Sequence, residues 1–429
     1  MVTGGEYIFD NIDQALDYIL ETERRVLMTD ANRREPPRVI RPYPGVFLET
    51  TLDRLPPVPV DSLHYPLSAW FNDAPNDKFV MTSLLSGRYS LKPNLKTREF
   101  LYRGETEFHQ PCKPNLSRNP YKHRFTAELA KGQEMMLLML SHPLVQLLDI
   151  GVELNGKVYQ FEMNLFGLTQ HYYNKTSLLD LTSNPQVAAF FATAKYDLEK
   201  DSYYPIEDEH HEPGVLYFYT LDINEDFGTQ MGTRRAPLST IGLQVFPRSG
   251  RQSGFLYNMQ THENFNDVAR LNAFRFRHNA NIAKRICESF HNGKDLFPDD
   301  ILMRHWKREG RDYNVISNRT VKMNHLWNPQ MSLEEVDAEI RSAGFDIQDY
   351  KPSFTQKELD EYYDSVQNGF WMDLCKQIHI PGDNNSRMMN DLINLPKNPK
   401  YRWAFERDDG HMTDYELGNV LRQFKECLK

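Results

Sequence analysis

Cysteine is scarce in this sequence. Cys112, Cys287, Cys375 and Cys427 are the only four among 429 residues, and no two form a CxxC pair. That spacing offers neither a disulfide framework nor a zinc site, and no metal is expected. Long hydrophobic runs are missing too: nothing approaches the ~18 apolar residues that a spanning helix requires, so no membrane segment is expected. The opening MVTGGEYIFDNIDQALDY has no basic stretch followed by an apolar one, as a secretory signal would. A cytoplasmic chain is the expectation. Positive charge is not in surplus. The 50 Lys and Arg against 59 Asp and Glu give −9 at pH 7, which argues against bulk nucleic-acid binding. The sequence also lacks GxGxxG after a strand, GxxxxGK(S/T), HExxH and GxSxG, the signatures of Rossmann, P-loop, zincin and common hydrolase sites.

What is present is ordinary in bulk, with 40% hydrophobic and 25% charged residues, as in soluble globular proteins. Three regions differ in pattern. Residues 1–96 open with IFDNIDQALDYILETERRVLM, where Ile8, Ile12, Leu16 and Ile19 recur at helical spacing. A proline-rich stretch from REPPRVIRPYPG to LPPVPVD follows, expected to be extended and to wrap a neighbouring surface. Residues 97–312 mix periods. REFLYRGE, SLLDL, GVLYFYTL, LQVFP, GFLYNM and AFRFRH read as strands. KHRFTAELAKGQEMMLLMLSHP, KVYQFEMNLFGLTQH, PQVAAFFATAKY and ANIAKRICESF read as helices. Strands gathered late among helices point to an α+β fold. Residues 313–429 read as a polar helical region: SLEEVDAEIRSAG has a capping-box spacing, and TQKELDEYYDSVQNGFWMDLCKQI and YELGNVLRQFKECL continue it. An accessory or partner-binding role is expected there.

Three stretches could carry chemistry. In FLYRGE, Arg103 ends a strand and Gly104 follows. A guanidinium there can clamp a phosphate or carboxylate, and glycine admits a ligand close to the backbone. A structural ion pair with Glu105 or Asp180 explains the arginine equally well. In QHYYNKTSLLDLTSNPQVAAFFATAKYD, polar residues crowd a strand-to-helix junction, where helix N–H groups attract anions. Capping accounts for Ser183 or Asn184, but leaves Gln170, His171 and Asp180 unexplained. In PRSGRQSGFLYNM, Arg248 and Arg251 belong to a segment from 228 to 261 that also holds Arg234 and Arg235 and has no acid. It suits a phosphate-bearing ligand, and reads equally as a solvated basic loop.

In order, these stretches resemble the FRG-domain family, named for a Phe-Arg-Gly motif. The resemblance rests on Leu101-Tyr102-Arg103-Gly104, on Gln170-His171-Tyr172 with Thr176, Leu178-Leu179-Asp180, Thr182, Pro185, Ala188 and Phe191-Ala192, and on Gln252-Ser253-Gly254-Phe255. PNLSR at 114–118 and LFPDD at 296–300 add weaker matches, so about half the chain is covered. Tyr173, Lys175, Leu181 and Ser177 depart from the pattern. The FRG pattern in turn resembles the ADP-ribosyltransferase superfamily, in which an Arg or His, a Ser-Thr-Ser-like strand and a Glu/Gln-x-Glu motif follow in order. That likeness implies a split antiparallel sheet flanked by helices, and NAD as substrate. It implies that Arg103 holds pyrophosphate or ribose, that Thr182 and Ser183 shape the nicotinamide pocket, and that Gln252 orients the ribose. Gly104, Gln170, His171, Tyr172 and Arg251 would be further ligand contacts. The region that matches the superfamily's Glu/Gln-x-Glu motif offers Gln252 and no acid until Glu263, so Asp180 or Glu105 would supply the acid. The alternative is a non-catalytic module that binds a nucleotide or other anion, with a helical tail that recruits a protein partner.

Overall fold

A computed structural model describes residues 8–32, 78–83, 87–95, 100–118, 124–172, 174–197, 200, 202–221, 237–242, 245–259, 263–309, 314–383 and 385–407. The proline-rich stretch, Arg234, Arg235, Tyr173, Cys427 and YELGNVLRQFKECL lie outside the described residues.

The fold is α+β. Its centre is a seven-stranded sheet: β1 Ile8–Phe9, β2 Phe100–Glu105, β3 Leu178–Thr182, β4 Gly214–Thr220, β5 Leu238–Thr240, β6 Gly254–Asn258 and β7 Leu271–Phe276. Their spatial order is β1-β7-β4-β2-β3-β6-β5, antiparallel except for the β1–β7 pair. Side chains alternate strictly. Phe100, Tyr102, Leu216 and Phe218 pack into one apolar cluster, while Leu101, Val215, Tyr217 and Tyr219 pack into another on the opposite face. Both faces are buried. Each such Leu or Phe contributes about 1.5–3 kcal/mol, and a one-residue slip would exchange the faces, so the register is fixed.

One face is covered by α1 (Ile12–Asn32) and α3 (Pro185–Thr193). Ile12, Ala15, Leu16 and Ile19 are buried along α1, and Ile8 belongs to β1 instead of the helix. Asn184 caps α3 by accepting from Gln186 N, with Pro185 in its first turn. Helix α2 (Phe125–Leu140) anchors the other large cluster. That cluster runs from Met135 and Leu144 to Tyr362, Trp371 and Phe405, so residues 314–407 share a core with the middle of the chain. The tail is mainly helical, at 318–327, 333–342, 356–367, 370–375 and 387–393. Capping boxes close the first turns after both Ser332 and Thr355.

Three readings are corrected. KVYQFEMNLFGLTQH is not one helix: Lys157–Tyr159 pairs with Val152–Leu154 in a hairpin, and only Leu165–Gln170 is helical. The hairpin turns at Asn155-Gly156, both with positive φ, and this Asn-Gly signal outranks the apolar spacing. The AKY after α3 turns into a strand, Ala194–Asp197. In LQVFP, residues 243–244 lie outside the described residues, and 245–247 lead into a short helix, Arg248–Arg251. Among the described residues no helix is long and apolar enough to cross a membrane.

Candidate functional site

Strands β2 and β3 pair at a single position, Tyr102 with Thr182, and then part. Where they diverge lies a cleft of ≈ 280 Å³, lined by Arg103, Gly104, Glu105, His109, Asn115, Arg118, His171, Asp180, Thr182 and Gln252 among others. Residues from all three sequence stretches therefore meet here, and among the described residues none after Gly254 lines the cleft.

Arg103 spans the gap. Its Nη1 donates to the backbone carbonyl of Asp180 at 2.8 Å, while Nε and Nη2 donate to Glu105 Oε1 at 3.0 and 2.6 Å. Glu105 is buried, and Arg118 Nη2 lies 3.5 Å from the same Oε1. Burial alone would push the Glu105 carboxyl up. The charge and hydrogen bonds of Arg103, with Arg118 and His109 adding to them, together outweigh it and hold the carboxyl below its ordinary 4.5. Arg103 thus has the structural ion pair weighed in the sequence, with Glu105, and contacts Asp180 through its carbonyl rather than its carboxylate.

Gly104 serves the fold more than a ligand. A Cβ there would sit 1.8 Å from Ala188 O and 2.8 Å from Ala192 Cβ. The glycine and the small residues of α3 let helix and strand backbones meet, so the expected close approach is made by the helix.

Thr182 and Gln252 are occupied internally. Thr182 Oγ1 donates to Gln252 O at 2.6 Å and accepts from Asn184 N at 3.0 Å, tying β3, the β6 entry and α3 together. Gln252 Nε2 donates to Leu296 O at 3.2 Å, which turns Oε1 toward His171 Nδ1 at 3.0 Å. His171 is buried, and burial holds its imidazole below the ordinary value, although Asp180 pulls the other way. Its Nε2 lies 3.7 Å from Asp180 Oδ1. Neither atom has a hydrogen-bond partner among the described residues. The Asp180 side chain is 38% exposed, and among the described residues it is the one carboxylate lining the cleft with substantial access to solvent.

Other expected ligand residues lie elsewhere. Tyr172 is fully buried; its hydroxyl donates to Asp300 Oδ2 at 2.5 Å and the Arg248 guanidinium lies 4.8 Å from its ring centroid. It fails to reach the cleft because the turn after Leu165–Gln170 sends His171 and Tyr172 in different directions. Gln170 accepts from Thr176 Oγ1, a contact within the loop. Ser183 is buried at the β3–α3 turn, outside the cleft lining, with its N–H donating to Ser253 O. Arg251 is exposed and also outside the lining. The buried arginine of that segment is Arg248, which donates to His171 O at 3.2 Å. His109, Asn115 and Arg118 line the cleft without having been singled out as site residues; the PNLSR stretch was the available signal for the last two. Among the described residues no group of three or more His, Cys, Asp or Glu is placed to hold a metal ion.

No curated protein and no solved structure matches the chain. Residues 98–201 match the family model of the FRG domain, a span that holds both strands that part to form the cleft, while the third stretch, from Gln252 to Phe255, lies beyond it.

Proposed function

We propose that the cleft binds NAD and cleaves its glycosidic bond to nicotinamide, as an ADP-ribosyltransferase or NAD glycohydrolase. The observation that carries this reading is Asp180: a partly exposed carboxylate in a cleft that Arg103 and Arg118 also line, where Arg103, Glu105, Thr182 and Gln252 are bonded within the protein. As nicotinamide leaves, the ribose acquires oxocarbenium character. A carboxylate stabilises that charge, whereas the neutral amide of Gln252 does not. Glu105 is committed to Arg103, which leaves Asp180 as the acid. Arg118 and the remaining N–H groups of Arg103 meet the pyrophosphate.

Calorimetric titration with NAD and ADP-ribose, followed by a nicotinamide-release assay, tests this. Asp180→Asn is expected to lower release about 100-fold while changing NAD affinity only a few-fold, the size of effect seen when one electrostatic stabiliser is lost. Absence of both binding and release ends the proposal. A second reading, a non-catalytic nucleotide- or anion-binding module whose helical tail recruits a protein partner, draws on the Arg103 fork being largely engaged by Glu105 and the Asp180 carbonyl. ADP-ribose binding without nicotinamide release favours that reading.

A further inference from the structure

Behind the Asp180 carboxylate, two acceptor atoms face each other. Leu296 O fixes the Gln252 amide, so its Oε1 faces His171 and the ring must donate from Nδ1. A neutral imidazole with Nδ1–H has a bare Nε2, and this atom lies 3.7 Å from Asp180 Oδ1. Both are buried and neither has another hydrogen-bond partner among the described residues. Two lone pairs turned toward each other across that distance are unfavourable until a proton lies between them.

We propose that His171 Nε2 and Asp180 Oδ1 hold one titratable proton between them, that Gln252 sets the tautomer that makes this possible, and that the pair takes up the proton of the attacking hydroxyl or water. The last part rests on the NAD reading above. The step balances. The acceptor oxygen bonds to the ribose anomeric carbon as the carbon–nitrogen bond breaks. Its electron pair leaves with neutral nicotinamide, and the acceptor's proton passes through Asp180 to Nε2. His171 is then an imidazolium paired with a carboxylate. Gln252 is a positioning residue, acting through His171. The groups that face the ring are Asp180 from β3, Gln252 and Arg248 from the segment before β6, and the bare face of Gly254, where a Cβ would lie 3.5 Å from His171 Cε1. The Asp180 charge favours the imidazolium; burial and Arg248 oppose it.

Long-range proton–nitrogen NMR of the His171 ring in the full chain, read against pH, tests the pair without any ligand. The expected result is an Nδ1–H tautomer with bare Nε2 in the neutral state, and a titration that moves down by about one pH unit or more in Asp180→Asn. A neutral ring protonated on Nε2, or a titration indifferent to Asp180→Asn, overturns the proposal. The second arm follows nicotinamide release against pH in wild type and in Gln252→Glu, whose carboxylate should raise the His171 titration. The acid limb of the wild-type profile should follow the His171 titration and move to higher pH in the variant. A limb that ignores a folded Gln252→Glu protein removes His171 from the proton path. If the NMR result holds and no nicotinamide is released from NAD, the shared proton stands and the NAD reading alone falls.

Discussion

At the seam between α2 and the C-terminal helices, Glu134 receives donors from every side. Ser317 N and Oγ donate to Oε2 at 3.0 and 2.8 Å, Thr320 Oγ1 at 2.5 Å, and Tyr350 Oη donates to Oε1 at 2.6 Å. In the cleft, Asp180 and His171 present buried atoms without such partners, 3.7 Å apart. Both clusters lie against apolar packing, and burial is costly for an unsatisfied polar atom in either place. The difference separates structure from chemistry. A carboxylate whose donors are all supplied by the chain can only hold elements together. One that is partly exposed and faces a ring nitrogen without a hydrogen-bond partner among the described residues retains capacity for a proton or a ligand.

The comparison is broken most directly at Glu134. Glu134→Ala strands two hydroxyls, a backbone N–H and a tyrosine, and should cost about 3–5 kcal/mol of folding stability. Urea denaturation measures this, and the ADP-ribose affinity of the folded fraction should stay unchanged. A loss below about 1 kcal/mol would mean that the apolar cluster holds the seam unaided. Arg103→Ala should cost somewhat less, about 3 kcal/mol, because Arg118 remains 3.5 Å from Glu105. Its pH dependence is the sharper test. In the wild type the Glu105 carboxyl is held below 4.5, so its contribution is complete above that pH and is lost as pH falls through the depressed folded value. Without Arg103, burial dominates and the folded value rises above the unfolded one. The contribution is then present at low pH and lost as pH rises. Denaturation midpoints between pH 3 and 7, compared for the two proteins, should show this change of slope.

The strands were legible as short apolar and aromatic runs. Phe100 to Tyr102 and Val215 to Tyr219 are apolar at every position because both faces of the strands are buried. The helical reading of 157–171 failed because apolar residues at Val158, Phe161, Leu165 and Leu168 imitate helical spacing, while Asn155-Gly156 turns the chain first. In the site, strand ends were foreseeable and side-chain directions were not. Arg103 and Asp180 come together because β2 and β3 separate after one pairing, a long-range fact. Tyr172 and His171 are neighbours in sequence, yet one joins Asp300 in the interior and the other lines the cleft. Gly104 drew attention correctly as a place of close approach, but only packing against Ala188 and Ala192 identifies what approaches.

The smallest expected effect lies at the cleft rim. Arg118 is 33% exposed, donates from Nε to Lys113 O at 2.7 Å, and reaches Glu105 only at 3.5 Å, so it is neither as buried nor as closely held as Arg103. Its removal should alter folding stability by less than about 0.5 kcal/mol, as for most surface ion pairs. If Arg118 meets an incoming phosphate, Arg118→Ala should weaken ADP-ribose binding about 3- to 10-fold at low salt. That difference should shrink as ionic strength rises past about 0.15 M, where the screening length is about 8 Å. Arg118→Lys should recover part of the loss and retain its salt dependence, since it keeps the charge and gives up the planar fork. Calorimetry of the three proteins at two salt concentrations measures all of this. An Arg118→Ala protein that binds like wild type at low salt would leave Arg103 as the cleft's anion-binding cation, and the open capacity of the site would then lie entirely with Arg103, Asp180 and His171.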